Sequence, residues 1–317
     1  MKSCDIAVFG AGIIDIPVIY ADHSVFTRHS TPVEHIGMTT GGDALNEATV
    51  LANLGHDVRL ISCWGCDPAG AFLDAHCDRL GIDTQYVRRT DGLDTGVNVV
   101  LVDEDGERRF YNNRHSSLRK LRAEDFSAEQ LDGIRLLSLA SIFVFPLISL
   151  EELTRIAQTA RAQDVLVCAD FVLPKNGEGI RELTLLLREL DYVFANETEA
   201  RVITGESDPD RMADALLAAG SRHVVIKLGA EGCLIASDSL RERIPACPET
   251  CCVDTTGAGD NFAAGFQHAL LAGGSFADCA RFANACASVS VETVGASTGV
   301  TSLQQVEERM TRYAEQK

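Results

Sequence analysis

Apolar residues along this chain follow two spacings. Apolar runs of about four to eight residues predict buried strands, and longer stretches with apolar residues three or four apart predict helices. The predicted strands are 5–10, 58–63, 84–87, 136–144, 165–169, 191–194 and 223–228. The predicted helices run from Gly42 to Gly55, over 67–80, 149–162, 178–189 and 208–219, from Asn261 to the pair Gly273 and Gly274, and over 276–291. This alternation indicates an α/β fold with a parallel sheet.

Residues 93–111 interrupt the alternation. Apolar and polar side chains alternate over 95–101, and a second strand-like run at 108–111 follows a polar turn, which predicts a β-hairpin. Residues 16–40 contain Pro17 and Pro32 and end in a threonine-rich stretch, as expected of short strands rather than a core helix. These two segments therefore predict a second β structure outside the main sheet.

The most informative stretch is 252–266, which reads C-V-D-T-T-G-A-G-D-N-F-A-A-G-F. Gly257 and Gly259 can adopt backbone angles that bring the chain close to a ligand. The helical pattern that follows places unpaired N–H groups at the turn, which suits a phosphate. Asp260 is the unusual residue at this position, and its alternative interpretation is a helix N-cap.

Gly10 and Gly12, after the first strand, are typical of a dinucleotide-binding turn. The third glycine position holds Asp15 and no helical pattern follows, so the fingerprint of a nicotinamide-dependent oxidoreductase is incomplete. No G-K-[S/T] or H-R-D sequence occurs, which disfavours a P-loop or protein-kinase mechanism.

Composition narrows the choice of partners. The chain has 317 residues, 46% of them hydrophobic, and a net charge of −18, so we expect a folded protein that does not bind nucleic acid or an anionic membrane. No run reaches the roughly 18 apolar residues of a membrane helix, and the first residues lack the pattern of a signal peptide. We therefore expect a cytoplasmic protein with no membrane partner.

The stretch D-T-T-G-A-G-D-N-F resembles the second signature of the PfkB family, the ribokinase-like carbohydrate kinases. The resemblance implies that Asp260 is the catalytic base and that the amides of Gly257, Ala258 and Gly259 form an anion hole for the transferred phosphoryl group. Within the family the chain resembles a bacterial branch of uncharacterised sugar kinases that share M-T-T-G-G-D-A and S-L-A-S-I-F.

Residues 41–48, G-G-D-A-L-N-E-A, resemble the first signature of the family. The resemblance implies that Gly41 and Gly42 let the backbone approach a sugar and that Asp43 and Asn46 bind its hydroxyl groups. Many members carry Lys, Ala or Pro where this chain has Asp43. Without the second signature, Asp43 would be interpreted as an N-cap and Asn46 as a polar residue of the first turn.

Asp15 and Asp170 match substrate-binding positions of the family, with a turn aspartate as the alternative interpretation of Asp15. Asn113 and Arg114 stand in a polar loop after the hairpin, at the base of the implied lid, where they are expected to contact the substrate; a solvated turn is the alternative. Asp170 stands where many members have D-x-N-x-R, but this chain lacks that Asn and Arg, and Lys175 is the nearest cation. Arg114 could bind a carboxylate of a sugar acid. Its alternative interpretation is a surface arginine in weak ion pairs.

The resemblance also implies an ATP site and ion sites. The nucleotide residues are Asn196, Glu199, Lys227, Gly229, Gly232 and Asn284, and Glu199 would also serve Mg²⁺, partly through water. An N-capped helix start would give the same letters at 196–199, and a β-turn would explain the glycines of 227–232. A monovalent cation, K⁺ in many members, is implied at Asp254, Thr256, Val291 and Gly295.

These observations predict an α/β protein with a ribokinase-like open, mostly parallel sheet flanked by helices and a small β-sheet lid. The core would comprise 1–12, 44–91 and 120–317, and the lid 13–43 and 92–119. The expected function is an ATP-dependent kinase for a sugar or sugar acid, acting as a homodimer through the lid. A nucleoside kinase and a non-catalytic sugar-binding protein are the alternatives, and the sugar is not resolved.

Overall fold

The structure is a computed structural model that describes residues 4–104, 108–248 and 250–314. The strands are β1 (Ile6–Phe9), β2 (Ile13–Ile19), β3 (His35–Ile36), β4 (Thr39–Gly41), β5 (Val58–Ile61), β6 (Cys63–Gly65), β7 (Arg88–Thr90), β8 (Val97–Val102), β9 (Arg108–Asn112), β10 (Leu136–Leu139), β11 (Leu166–Asp170), β12 (Tyr192–Asn196), β13 (His223–Lys227), β14 (Cys233–Ser237) and β15 (Arg241–Ile244). The helices are α1 (Asp43–Asn53), α2 (Pro68–Leu80), α3 (Leu150–Arg161), α4 (Ile180–Leu187), α5 (Glu197–Thr204), α6 (Pro209–Ala218), α7 (Ala258–Leu271), α8 (Phe276–Ser290) and α9 (Leu303–Ala314).

An eight-stranded sheet runs through the molecule in the order β15-β14-β13-β12-β11-β10-β1-β5. Strands β5, β1, β10, β11, β12 and β13 pair in parallel, and β14 and β15 extend the sheet antiparallel. The predicted open, mostly parallel sheet is therefore confirmed.

Helices cover both faces of this sheet because successive strand side chains point to opposite faces. Ile6 and Val8 belong to a core with α1, α2, α7, α8 and α9, whereas Ala7 and Phe9 belong to a core with α3, α4, α5 and α6. The carboxyl ends of the parallel strands meet at one edge between these layers, where open α/β sheets bind ligands.

A smaller, five-stranded sheet contains β3, β2, β8 and β9 in that order, with β4 paired to β2. Strands β8 and β9 pair antiparallel, which confirms the predicted hairpin. Its turn includes residues 105–107, which lie outside the described residues. Both segments predicted to form a second β structure thus contribute to one sheet.

Two predictions of strand extent are wrong. Residues 84–87 form a turn, in which Asp83 Oδ1 accepts the Gln85 amide at 3.0 Å and Val87 N donates to Thr84 O at 3.0 Å, and the strand follows as β7. The strand predicted at 136–144 ends at Leu139, because Ser141 is left-handed with φ of 56° and a 3₁₀ turn follows. At 84–87, the hydrogen bond from the Gln85 amide to the Asp83 side chain overrides the strand pattern.

No helix in the described part of the chain is both long and apolar enough to cross a membrane.

Candidate active site

Helices α1 and α7 begin side by side, and each starts after a glycine that has a left-handed backbone. Gly42 has φ of 87° and Gly257 has φ of 70°. Asp43 is therefore the first residue of α1 and Asp260 the third residue of α7, so neither is an N-cap as their alternative interpretations proposed. The positive ends of two helix dipoles meet where these carboxylates lie.

Asp260 is buried, and its carboxylate is fixed by α1. Asn46 Nδ2 donates to Asp260 Oδ2 at 2.7 Å, a contact between residues 214 positions apart. Burial raises the pKa of Asp260 well above its usual range, and the negative charge of Asp43 raises it further, against the lowering effect of the Asn46 hydrogen bond. A carboxylate in this state is a stronger base than an exposed one.

Asp43 lies close enough to Asp260 for the two carboxylates to influence each other. Burial raises the pKa of Asp43, whereas a hydrogen bond with Ser141 and the charges of Lys227 and Lys175 lower it. The sequence did not point to Ser141. The residue is distinguished by its left-handed backbone after β10, which only the structure reveals.

The loop into α7 is held so tightly that residue 257 must be glycine. A Cβ atom at Gly257 would lie 2.2 Å from the Ala296 carbonyl oxygen. Asn261 Nδ2 donates to the carbonyl oxygens of Gly257 and Ala296, at 2.7 Å each. The amide of Ala258 donates to Thr255 O at 3.2 Å. These contacts hold the backbone at the start of α7 in place, and the Ala258 amide is engaged by Thr255 O.

Asp170 and Lys227 form a buried ion pair at the carboxyl ends of β11 and β13. Lys227 Nζ lies 2.7 Å from Asp170 Oδ1 and 2.8 Å from Oδ2. Burial alone would lower the pKa of Lys227, but the charges of Asp170 and Glu199 raise it, so the amine stays protonated. A Cβ atom on Gly259 would lie 3.2 Å from Nζ, which places this cation beside the first turn of α7.

Asn196 and Glu199 form a capping box at the start of α5, as one interpretation of the sequence proposed. Asn196 Oδ1 accepts the Glu199 amide at 2.9 Å, and Glu199 Oε2 accepts the Asn196 amide at 2.7 Å. Burial raises the pKa of Glu199 to about 7, although the charge of Lys227 opposes it. Both residues also line a cavity at the carboxyl edge of the main sheet.

A cavity of about 650 Å³ lies at this edge of the sheet. Its walls contain twelve of the residues predicted from the sequence: Asp43, Asp170, Asn196, Glu199, Lys227, Gly229, Gly232, Ala258, Gly259, Asp260, Asn284 and Val291. Apolar side chains that sequence reasoning missed, such as Phe171 and Phe262, complete the wall. The structure therefore brings residues from distant parts of the chain into one ligand-sized space.

Two nucleotide-loop predictions have additional structural roles. Gly232 has φ of 89°, and a Cβ atom there would lie 2.1 Å from the Ile244 carbonyl oxygen, whereas Gly229 has φ of 59° and open space around it among the described residues. Asn284 Nδ2 donates to the carbonyl oxygens of Ile244, at 3.2 Å, and Pro245, at 3.0 Å. Asn284 thereby fastens the end of β15 to α8, and Gly232 lies against the same segment.

Asp15 lies next to the first signature but outside the lining of this cavity. Its Oδ1 accepts from Asn98 Nδ2 at 3.1 Å, and a Cβ atom at Gly41 would lie 2.0 Å from its Oδ2. Burial raises the pKa of Asp15 to about 6, with Asn98 lowering it and the charge of Asp43 raising it. Asn98, on β8, is a polar neighbour that the sequence did not single out.

Asn113 and Arg114 are also outside the cavity lining. Asn113 bridges the base of the hairpin, since its Oδ1 accepts the Val97 amide at 2.8 Å and its Nδ2 donates to Thr95 O at 2.8 Å. Arg114 is exposed. Asn113 therefore has a clear structural role at the base of the hairpin.

The residues predicted to hold a monovalent cation surround Asp254. Its Oδ1 accepts from Thr256 N at 2.8 Å and Thr256 Oγ1 at 2.7 Å, and its Oδ2 accepts from Gly295 N at 2.8 Å. The Val291 carbonyl accepts the amides of Val253 and Asp254. Arg108, from the smaller sheet, forms an ion pair with Asp254 Oδ1.

The chain belongs to the pfkB family of carbohydrate kinases, whose pattern, described as "pfkB family carbohydrate kinase", matches residues 4–303. It is therefore a phosphotransferase with an alcohol group as acceptor. The predicted family is confirmed, and so is the ribokinase-like fold.

Relatives with reviewed descriptions match most of the chain. It is 29% identical over 303 residues to a ribokinase of Haemophilus influenzae, which covers 90% of this chain and 94% of the relative. It is 31% identical over 252 residues to an uncharacterized sugar kinase of Archaeoglobus fulgidus, covering 79% and 97%. It is 28% identical over 276 residues to a 2-dehydro-3-deoxygluconokinase of Dickeya dadantii, covering 81% and 88%.

Solved structures share the fold over nearly the full length. The ribokinase of Arabidopsis thaliana, complexed with ribose and ATP, superposes with a TM-score of 0.82 at 24% identity, covering 98% of this chain and 99% of that one. The ribokinase of Thermotoga maritima gives a TM-score of 0.82 at 25% identity, covering 97% and 99%.

Proposed function

We propose that this protein transfers the γ-phosphoryl group of ATP to a hydroxyl group, expected to be primary, of a sugar or sugar acid, with Asp260 as the base. The observation that carries the proposal is the position of Asp260. The Asp260 carboxylate lies in the first turn of α7, where it is buried and held by Asn46 of α1. It forms part of the wall of a cavity that the protonated Lys227 also lines.

The residues of the cavity fit ATP and Mg²⁺. Lys227 supplies a cation for phosphate oxygens, and Gly229 and Gly232 bring backbone close to the space that a nucleotide would fill. Glu199 offers a buried carboxylate for Mg²⁺, which prefers oxygen ligands and keeps several waters. When bound, Mg²⁺ neutralises charge on the phosphate oxygens.

The residues of this chain then perform three tasks. Asn46 and Asp43 hold the acceptor sugar, and Asp260 takes the proton of the attacking hydroxyl group. Among the described residues, Asn46 Oδ1 is buried without a hydrogen-bond partner, and a substrate hydroxyl would satisfy it. The amides of Gly257, Ala258 and Gly259 stabilise the charge on the transferred group, for which Ala258 must exchange its bond to Thr255 O.

A coupled ATP-consumption screen over sugars, sugar acids and nucleosides tests the proposal. We expect turnover with at least one sugar or sugar acid and none with nucleosides. A nucleoside as the only substrate would assign the chain to the nucleoside kinases of the family. Binding of sugars without any ATP consumption would instead identify a non-catalytic sugar-binding protein.

The substrate class that we favour is acidic, because the charge of Lys175 acts on Asp43, which lines the cavity, and a second cation, Arg119, is near Lys175. Burial and the like charge of Arg119 lower the pKa of Lys175, whereas the charge of Asp43 raises it, so these three groups are close together. A carboxylate on the substrate would offset the repulsion between these two cations. The similarity to a 2-dehydro-3-deoxygluconokinase, whose name denotes a sugar acid as substrate, supports this class.

Lys175→Met should raise KM for acidic substrates about tenfold and leave KM for neutral sugars nearly unchanged, because a charge-assisted hydrogen bond is lost only with the former. Arg114→Ala should act in the same selective way if Arg114 also contacts the carboxylate. Arg155→Met is the matched control, since Arg155 is exposed on α3 and paired with Glu151. Equal losses with neutral and acidic substrates would exclude the proposed charge recognition.

We further propose that 13–43 and 92–119 form a lid over a core of 1–12, 44–91 and 120–317, and that two lids associate in a homodimer. The support is a set of exposed apolar side chains on and beside the smaller sheet: Tyr20, Ile36, Met38, Phe110 and Tyr111. Several exposed apolar side chains on one small sheet are typical of association sites.

In sedimentation equilibrium, the native chain should have twice the mass of one subunit, and the variant Ile36→Lys with Phe110→Lys should be a monomer, because a charge in an apolar interface remains unpaired. The control is Leu185→Lys, since Leu185 is equally exposed but lies on α4. A native chain that sediments as a monomer would refute the dimer.

A further inference from the structure

Asp254 begins the loop that leads to Gly257 and α7, and its carboxylate already accepts from four donors. Its Oδ1 accepts the Thr256 amide and the Thr256 hydroxyl and pairs with Arg108 Nη2, and its Oδ2 accepts the Gly295 amide. Oδ1 therefore has no lone-pair site left for an added ion. Burial alone would raise the pKa of Asp254, but these hydrogen bonds and the charge of Arg108 lower it, so the group is ionised.

The carbonyl oxygen predicted to accompany Asp254 is also occupied. Val291 O accepts the Val253 amide at 2.7 Å and the Asp254 amide at 3.0 Å, which uses both of its lone pairs. A monovalent cation needs several oxygen atoms with free lone pairs. The arrangement around Asp254 therefore does not fit the cation that the family resemblance implies, and a positive charge is already present there.

The ion pair of Arg108 with Asp254 differs from an ordinary surface pair. The Arg108 and Asp254 side chains are 22% and 13% exposed, whereas the neighbouring pair of Arg109 with Asp103 is 67% and 29% exposed. Solvent therefore screens the first pair much less. Arg108 Nη2 also lies 3.5 Å from Thr255 Oγ1, and Thr255 lines the cavity.

We propose that Arg108 is a built-in cation that replaces the monovalent ion, so that phosphoryl transfer by this chain does not depend on K⁺. Arg108 neutralises Asp254, whose charge would otherwise repel a phosphate at the start of α7. Since Arg108 lies on β9 and Asp254 on the loop before α7, the same contact joins the smaller sheet to the phosphoryl end of the cavity. Arg108 is thus a positioning residue, and its effect on catalysis rests on the proposed kinase function.

The first test measures initial rates against K⁺ concentration, with tetramethylammonium keeping the ionic strength constant. The native enzyme and the control Arg109→Met should give flat profiles. Arg108→Met should lose about tenfold in rate without K⁺, the effect expected for one charge-assisted hydrogen bond, and regain it as K⁺ is added. Arg108→Lys, which keeps the charge, should stay close to the native rate.

The second test needs no activity. In thermal unfolding of the protein without substrates, K⁺ should raise the Tm of Arg108→Met above its value in tetramethylammonium, because only that variant frees a lone pair of Asp254 Oδ1 to act with Oδ2 on a bound ion. The native protein and Arg109→Met should show equal Tm in both salts. This measurement stands even if every sugar fails as a substrate, so failure of the proposed function is distinguishable from failure of the built-in cation.

Strong activation of the native enzyme by K⁺ would overturn the proposal. So would full activity of Arg108→Met without K⁺. A loss in Arg108→Met that K⁺ does not restore, with no K⁺ effect on its Tm, would also overturn it and leave Arg108 as a purely structural contact.

Discussion

We expect Asp260→Asn to lower kcat by about 10² to 10⁴-fold, because loss of a general base has an effect in this range. Asparagine has nearly the same shape and can still meet Asn46, so the fold and ATP binding should persist. Thermal unfolding and nucleotide binding by calorimetry check that expectation beside the kinetics. Turnover near the native value would remove Asp260 as the base.

The chain provides a control at the same helix position. Asp278 is the third residue of α8, as Asp260 is of α7, but it is exposed and pairs with Arg281. Asp278→Asn should therefore change only stability, by about the 0.3–1 kcal/mol of a charge near a helix N-terminus, and leave kcat unchanged. Loss of activity in both variants would indicate a general effect of carboxylates at helix starts.

The pH profile provides a second measure of Asp260. A base must be deprotonated to accept a proton, and burial with the charge of Asp43 raises the pKa of Asp260. In the free enzyme kcat/KM should therefore rise with pH across this raised pKa rather than across that of an ordinary aspartate. Asp43→Asn removes a negative neighbour, so it should shift the rising limb to lower pH.

Gly257→Ala should lower kcat by about 10²-fold, because loss of one anion-hole donor has an effect of this size. The new Cβ atom would approach the Ala296 carbonyl oxygen to 2.2 Å, and that oxygen is backbone held by Asn261. The loop must move to relieve the clash, and the amides at the start of α7 move with it. Single-turnover kinetics should locate the loss in the transfer step.

Gly273→Ala separates this clash from backbone strain. Gly273 also has a left-handed backbone, with φ of 85°, but a Cβ atom there meets open space among the described residues. It should be destabilised by about 1 kcal/mol, the cost of a left-handed non-glycine residue, with kcat unchanged. Equal kinetic losses in the two variants would show that the contact with Ala296 is unimportant.

The sequence predicted the parallel sheet, the hairpin and many residues of the cavity. These features could be predicted because the spacing of apolar residues and the glycine turns are properties of short stretches of sequence. The prediction failed at 84–87, where the Asp83 side chain accepts the Gln85 amide and a turn forms in place of the predicted strand. Periodicity does not record such side-chain contacts.

Contacts between distant segments were also beyond the sequence. Arg108 and Asp254 are 146 positions apart, and Asn98 and Asp15 are 83 apart. The first pair joins β9 of the smaller sheet to the loop before α7, and the second forms because β2 and β8 pair in parallel with Asp15 opposite Asn98. Arg108 and Arg109 look alike in the sequence, and only their different burial separates a site residue from a surface one.

The acidic residues around the cavity also lower the folding stability of the protein when no ligand is bound. Glu199, whose pKa is about 7, is one of several carboxylates held close together by the fold. A raised pKa in the folded state means that its stabilising contribution is complete below the unfolded pKa and is lost as pH rises through the folded one. Mg²⁺ bound at Glu199 would offset this loss, and any ligand that binds only the folded protein stabilises it by mass action. A cell that keeps the enzyme supplied with its cosubstrate would therefore also protect it from proteolysis, and starvation would shorten its lifetime.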